Sequence, residues 1–259
     1  MNINLFCNHS MRATPYAIRE YVHNNSDHTV VIYSDPSNII EGRTIPNIRW
    51  GVSYCSRASF GEINSTETIW NSQRTRFSTI MEDNRIRCVG YRTGVPEEDE
   101  YPVVVRTIMN ASEGRGIVIC KNQEEFTPYR GHWWSKWITF DSEFGVHVLG
   151  GQIARKFKKV PLEETEVEFP IRNSTKGYRF SLNSKEKPKL TKFIADVQKV
   201  FPLDFGRYDV GWVASESRWC MIEANTAPSL SHNANTLKAY CDYFISVLEG
   251  VNDDSPRGR

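Results

Sequence analysis

Hydrophobic and polar positions change period several times along the chain, and each change marks an element. Near the start, "NINLF" (2–6) reads as a short strand, and Thr14-Pro15 gives a cap followed by proline at the head of a helix through "YAIREYV". "TVVIYS" (29–34) predicts a second strand, and "IPNIRWG" (45–51) a strand or a loop. Ile69, Arg76, Phe77, Ile80 and Met81 fall near helical spacing, so residues 66–83 are expected to form one helix, with "RIRCVGY" (85–91) as a strand after it. Such alternation argues for an α/β unit over residues 1–100, closed by the acidic linker "GVPEEDE" (94–100).

A second unit, 101–140, begins at the β-branched "YPVVVRT", crosses the Gly-bearing loop "MNASEGRG", and continues through the strand "IVICK", a short helix at "NQEEFTPY" and a third strand in "HWWSKWITF". The rest, 141–250, opens with a hairpin that turns at Gly150-Gly151. Leu190, Phe193, Ile194, Val197 and Phe201 then form one apolar helical face. "RYDVGWVA" and "RWCMIEAN" make a second hairpin through "SESR", and a last helix, "NTLKAYCDYFISVLEG", stops at Gly250 before a tail at 251–259.

Composition narrows the function classes. With 32 basic against 31 acidic residues and a net charge of +1, the chain lacks the basic excess of a general nucleic-acid binder. No stretch approaches the roughly 20 apolar residues of a membrane span, and "MNINLFCNHS" is no signal peptide, so a cytoplasmic protein is expected. Cys7, Cys55, Cys88, Cys120, Cys220 and Cys241 form no CxxC pair and have no His cluster at zinc spacing, which predicts buried free thiols.

The sharpest chemistry sits in the last hairpin. Its turn lies midway between Asp209 and Glu223, so the two carboxylates should face each other, and Asn225, two residues on, shares Glu223's side. Two carboxylates and an amide oxygen suit Mg²⁺ bridging phosphates; a capped strand end is the plain alternative. In the loop "SEGRG", Gly114 and Gly116 flank Arg115 and would let backbone N–H groups approach phosphate oxygens, with Arg106 in reach, although hairpin loops use glycine routinely. "WWSKW" places three tryptophans in five residues around Lys136, which suits either base stacking or the packing of a strand beside a pocket.

Taken in order, an Arg-ended strand, a Gly-bearing loop, a hinge strand, "EFGVHV" and "RYDVGWVASESRWCMIEANTAPSL" resemble the ATP-grasp superfamily over about residues 60–232. Similar sequences include ribosomal-protein glutamate ligases, D-alanine–D-alanine ligases and small phage-encoded ATP-grasp proteins. The resemblance implies an α/β (α+β) chain with an N-terminal α/β unit, a small β-rich central subdomain and a C-terminal α+β subdomain built on an antiparallel sheet. It also implies that Asp209, Glu223 and Asn225 hold Mg²⁺, with Mn²⁺ as an alternative, on the phosphates of ATP. Arg106 and, in the helix before it, Arg74 or Arg76 would stand where the family carries lysines, and Ser112, Gly114, Arg115 and Gly116 would close over the triphosphate. Lys136, Trp137 and Ile138 would take the adenine and Glu143 the ribose, while Arg155, Lys156 and Arg172, the last within "IRNSTKG", would face the transferred phosphoryl group. Where the family often has an arginine after the acidic residue, this chain has Gly145.

The implied reaction is the joining of a carboxylate to an amine or thiol through an acyl phosphate, with small-molecule or peptide substrates and a monomer or homodimer as the assembly. Arginine grips phosphate bidentately, so the replacements preserve binding. A phosphotransferase and a nucleotide-binding module without turnover are the alternatives. "SRASFGEINS" (56–65) is a candidate for the substrate pocket, or an ordinary surface loop.

Overall fold

A computed structural model describes residues 2–8, 13–34, 47–52, 62–109, 111, 114–163, 168–182, 189–230 and 233–250; Cys55, Ser112, residues 56–61 and the tail lie outside them. Three sheets carry the fold. The first is parallel, in the order β2-β1-β3-β4, from β1 (Asn2–Cys7), β2 (Thr29–Tyr33), β3 (Asn47–Trp50) and β4 (Glu62–Ile63). Helix α1 (Ala13–Asn25) makes the crossover that a parallel pair requires. Its core is completed from far along the chain. Tyr240, Phe244 and Leu248 of α6 (Ala234–Gly250), spaced four apart on one face, pack with Ile3, Leu5, Ile18, Val22 and Trp50. Space, not chain order, therefore groups the last helix with the first sheet.

Residues 66–83 form two helices, α2 (Thr66–Asn71) and α3 (Arg74–Asp83), rather than one. Ser72 turns its Oγ back to Ile69 O at 2.7 Å, and Gln73 adopts an extended backbone, so the first helix ends and the second starts on a new axis. "RIRCVGY" does not form a strand either. It makes isolated bridges, Cys88 with Met221 and Arg92 just beyond it with Trp134, because it crosses from one sheet to another instead of extending along either.

The second sheet, β6-β5-β7, comprises β5 (Val103–Arg106), β6 (Ile117–Cys120) and β7 (Trp133–Lys136) over a small core of Val103, Val105, Cys120, Trp134 and Phe126 from α4 (Gln123–Phe126). The third is antiparallel, ordered β10-β9-β8-β11-β12, from β8 (Ser142–Leu149), β9 (Gln152–Pro161), β10 (Tyr178–Ser181), β11 (Phe205–Val213) and β12 (Arg218–Asn225). Gly150 and Gly151 turn its first hairpin at φ +55° and +78°, the left-handed pair that a two-residue hairpin demands. One face of this sheet is sealed: Phe144, Val146, Tyr208, Val210 and Met221 pack on Phe77 and Met81 of α3 and on Leu190, Ile194 and Val197 of α5 (Leu190–Val200). Asn64 joins the first sheet to the third, donating to Asp204 Oδ2 and Phe205 O at 2.7 Å each and accepting from Asp204 N at 3.0 Å.

The cysteines in described regions are free, as expected from their spacing. Burial pushes the thiols of Cys88, Cys220 and Cys241 up to about 12, so they stay protonated and unreactive at neutral pH.

Candidate functional site

The unsealed face of the third sheet carries the site, and strand alternation arranges it in rows. Glu143 lies opposite Gly211, Gly145 opposite Asp209, and His147 opposite Arg207; across β11, Asp209 meets Glu223 and Arg207 meets Asn225. The facing carboxylates anticipated from the hairpin are thus register partners. A bulge sharpens this: Val210 pairs with Met221, which leaves Ile222 over. Met221 can therefore enter the core while Glu223, two residues on, turns to the cavity.

The second sheet covers this face, and between them lies a cavity of about 1230 Å³. It runs from Trp137 and Ile138 at one end to Gly51, Leu230 and Thr236 beside the first sheet at the other. The volume exceeds that of an ordinary small-molecule pocket. Arg74, Arg106, Lys136, Lys159, Arg172, Arg179 and Arg207 line it, against Glu143, Asp209 and Glu223. Such an excess of fixed positive charge selects an anion.

The ion pairs are specific. Arg207 clamps Asp209 through Nε to Oδ1 at 2.6 Å and Nη2 to Oδ2 at 3.0 Å, and Lys159 Nζ adds a longer contact to Oδ2 at 3.4 Å. Lys159 also donates to Glu143 Oε2 at 3.2 Å, while Arg172 donates to Glu143 Oε1 at 3.1 Å and Phe140 O at 2.8 Å. Both Glu143 oxygens thus orient cations, a duty that the ribose expectation did not include. Burial opposes the charges on Lys159 and Arg207, but the carboxylates together outweigh it, Asp209 with Glu143 and Glu223 at Lys159 and Asp209 with Glu223 at Arg207, and raise both above their ordinary values. Burial alone would raise Asp209 too; Arg207 and Lys159 overcome that and keep it ionised, below its usual range.

Arg74 ties three pieces together. It donates to Glu223 Oε2 at 2.7 Å, to Met109 O at 2.6 Å and to Ala111 O at 3.3 Å, so the loop after β5 is pinned to β12. Glu223 holds its guanidinium above the ordinary pKa against the opposing effect of burial. Arg76 does not share this role. It is exposed and stacks on Trp70, with Cζ 4.4 Å from the ring centroid, because the restart of the helix at Arg74 turns position 76 outwards.

Of the other anticipated residues, Arg106, Gly114, Lys136, Trp137, Ile138, Glu143, Arg172, Asp209, Glu223 and Asn225 line the cavity. Gly114 packs so closely on "IRN" that a Cβ there would lie 2.3 Å from Asn173 Nδ2. Arg115 and Gly116 fall outside the lining. So do Arg155, which is exposed although it stands opposite His147 on β9, and Lys156, which alternation sends to the opposite face, where Nζ donates to Thr191 Oγ1 at 2.9 Å. Lys159 and Arg207 take the interior places instead. The sequence holds the signal for both: Arg207 is two residues from Asp209, and Lys159 is two from the buried Phe157.

His147, 4% exposed, is a buried neutral group in the same row as Arg207. Burial, reinforced by Arg207, lowers its pKa from 6.5 to about 3. The unfolded chain takes up this proton below about 6.5 and the folded chain does not. Stability is therefore lost as pH falls from 6.5 towards 3, by up to about 1.4 kcal/mol per pH unit, and is untouched by this group above 6.5. Denaturant midpoints measured across that window are expected to fall faster for the native chain than for His147→Gln.

The donor set suits a hard divalent cation. Asp209, Glu223 and Asn225 offer carboxylate and amide oxygens on neighbouring strands, and Mg²⁺ ordinarily combines one or two carboxylates with phosphate oxygens and water. Among the described residues no cluster of three His, Cys, Asp or Glu forms a site complete without such added oxygens. Among the described residues no acceptor meets the buried Nε–H of Arg74, whose Nη2 donates to Glu223.

No protein-family model and no curated protein matches the chain. Solved structures do. The ATP-grasp ligase PsnB, complexed with a phosphomimetic variant of minimal precursor, Mg and ADP, aligns at 9% identity and TM-score 0.67 over 96% of this chain and 99% of that one. The macrocyclase MdnC from Microcystis aeruginosa MRC, bound with precursor peptide MdnA, aligns at 9% and 0.66 over 95% and 100%. D-alanine–D-alanine ligase from Bacillus anthracis, complexed with ATP, aligns at 13% and 0.67 over 98% and 99%.

Proposed function

We propose that this chain, which has the ATP-grasp fold, is an ATP- and Mg²⁺-dependent ligase that activates a carboxylate as an acyl phosphate and joins it to an amine or thiol, releasing ADP and phosphate. The observation that carries the proposal is the gathering of Arg74, Arg106, Lys159, Arg172 and Arg207 around Asp209, Glu223 and Asn225 in one cavity. Adenine would sit at Lys136–Ile138. Trp137 N–H is already given to Pro102 O at 2.9 Å, so its neighbours' backbone groups would read the base. Asp209, Glu223 and Asn225 would hold Mg²⁺, which supplies positive charge to the phosphates. Arg106 and Arg172 would grip the phosphate chain, and Glu143 would keep Arg172 and Lys159 aimed at it. No side-chain nucleophile is required, because positioning and charge neutralisation carry phosphoryl transfer. PsnB and MdnC were solved with precursors, and a cavity of this breadth accommodates a peptide or a small-molecule carboxylate.

Incubation with ATP, Mg²⁺ and a library of carboxylates and amines, followed by mass analysis, tests the proposal. ADP with a condensed product supports it. ADP with a phosphorylated product and no condensation makes the chain a phosphotransferase, and ATP binding without ADP release makes it a binding module. The two arginines of α3 provide a separate check by calorimetry with Mg·ADP. Arg74→Gln, which frees Glu223 and the loop carbonyls, is expected to weaken binding about tenfold or more. Arg76→Gln, on the solvent face, is expected to leave it unchanged; equal effects would contradict the placement of the site.

A further inference from the structure

Tyr240 Oη has two neighbours, Gly206 O at 2.9 Å and His147 Nδ1 at 2.9 Å. A carbonyl oxygen only accepts, so the single phenolic proton goes to Gly206, and Tyr240 must accept from His147 Nδ1–H. The neutral ring then carries a bare lone pair on Nε2. Among the described residues nothing donates to Nε2, and that atom is not one of the buried polar atoms left without a partner. Its free edge therefore opens to the cavity that His147 lines.

Chemistry limits what this lone pair can meet. A carboxylate or a fully ionised phosphate brings no hydrogen and is repelled by it. The occupant must present an N–H or O–H. Arg207, directly opposite on β11, is a buried cation, and the burial that chiefly keeps the imidazole neutral, with this charge beside it, disfavours an ammonium there as well. A neutral amine satisfies both conditions, and its nitrogen keeps a lone pair for attack. The position agrees: His147 is in the row furthest from Trp137 and Ile138, at the end of the cavity shared with Gly51, Leu230 and Thr236, where a second substrate has room.

We propose that His147 binds the attacking amine, its Nε2 accepting the amine N–H. The proposal rests on the ligase reading above. In that reaction the amine lone pair attacks the acyl carbon and a C–N bond forms. The bond from that carbon to the phosphate oxygen breaks, and phosphate leaves with the electron pair and takes the proton that nitrogen sheds. The imidazole holds the amine in line and stays neutral throughout.

Long-range ¹H–¹⁵N spectra of the ¹⁵N-histidine-labelled protein, loaded with Mg·ADP and titrated with hydroxylamine as an uncharged amine probe, test the assignment. The expected result is a protonated Nδ1, a bare Nε2, and an Nε2 resonance that moves with hydroxylamine. Two variants separate binding from structure, with affinity followed at the Arg207 Nε–H resonance of ¹⁵N-arginine-labelled protein. His147→Asn can keep an N–H on Tyr240 but has no acceptor at the Nε2 position, and is expected to bind hydroxylamine about tenfold more weakly. His147→Gln places an oxygen there and should remain within about threefold of native. An unmoved Nε2, a proton on Nε2, or an Asn variant of native affinity overturns the proposal. Failure of the ligase reading would show separately, as no condensed product from the carboxylate and amine library.

Discussion

Glu223→Gln is expected to lower ADP release about a thousandfold while leaving the melting temperature within a few degrees of native. The substitution keeps the shape of the side chain and an oxygen for Arg74, which now donates to Oε2 at 2.7 Å. What disappears is the charge that a hard cation needs, at a residue whose side chain is 23% exposed and whose neutralisation costs the fold little. Coupled detection of ADP over a range of Mg²⁺ concentrations checks the result. If rate and Mg²⁺ dependence stay native, the metal does not sit between Asp209, Glu223 and Asn225.

Arg207→Ala is expected to act on the fold itself. Asp209 is 2% exposed, and Arg207 supplies its two shortest hydrogen bonds; without them, among the described residues, the carboxylate keeps the 3.4 Å contact to Lys159. Stranding a buried charge in this way costs about 3–5 kcal/mol, or a fall of roughly 10 °C in melting temperature for a chain of this size. Gly145 makes the prediction sharper. A Cβ on Gly145 would stand 2.9 Å from Arg207 Cδ, so the two positions compete for one volume above Asp209. The resemblance to ATP-grasp proteins puts an arginine at Gly145; in this chain the guanidinium comes from the next strand. Gly145→Arg alone should therefore destabilise by crowding, whereas the double variant Gly145→Arg, Arg207→Ala should regain more than half of the loss seen in Arg207→Ala. Calorimetric melting of the four proteins decides it, and simple additivity would show that the positions do not share this space.

Legibility in the sequence follows the reach of local rules. The Asp209–Glu223 pairing could be read because a hairpin has a midpoint, and the faces of α5 and α6 because apolar residues recur at helical spacing. A helical face does not name its partner, however, and nothing in "NTLKAYCDYFISVLEG" points to the first sheet rather than the sheet beside it. On β9 the basic residues Arg155, Lys156, Lys158 and Lys159 look alike in sequence. Only the register, fixed by Phe157 against Gly145, sends Lys159 inwards and Lys156 out. Arg74 and Arg76 were separable only once the break at Ser72-Gln73 was known, since an unbroken helix would have rotated both. The strand expected at "RIRCVGY" fails for a related reason. Its residues suit extended backbone, but the partners are divided between two sheets.

The return of α6 to the first sheet has a consequence for how the chain acquires its shape during synthesis. β1 to β3 leave the ribosome first, yet the core beneath them includes Tyr240, Phe244 and Leu248. Their pairing partner arrives some two hundred residues later, so early hydrophobic strands must wait unsealed while the two later sheets assemble. A released chain truncated before residue 234 is expected to be digested by protease in β1, α1, β2 and β3 while the third sheet already resists; protection of both would mean that the first sheet folds without its last helix.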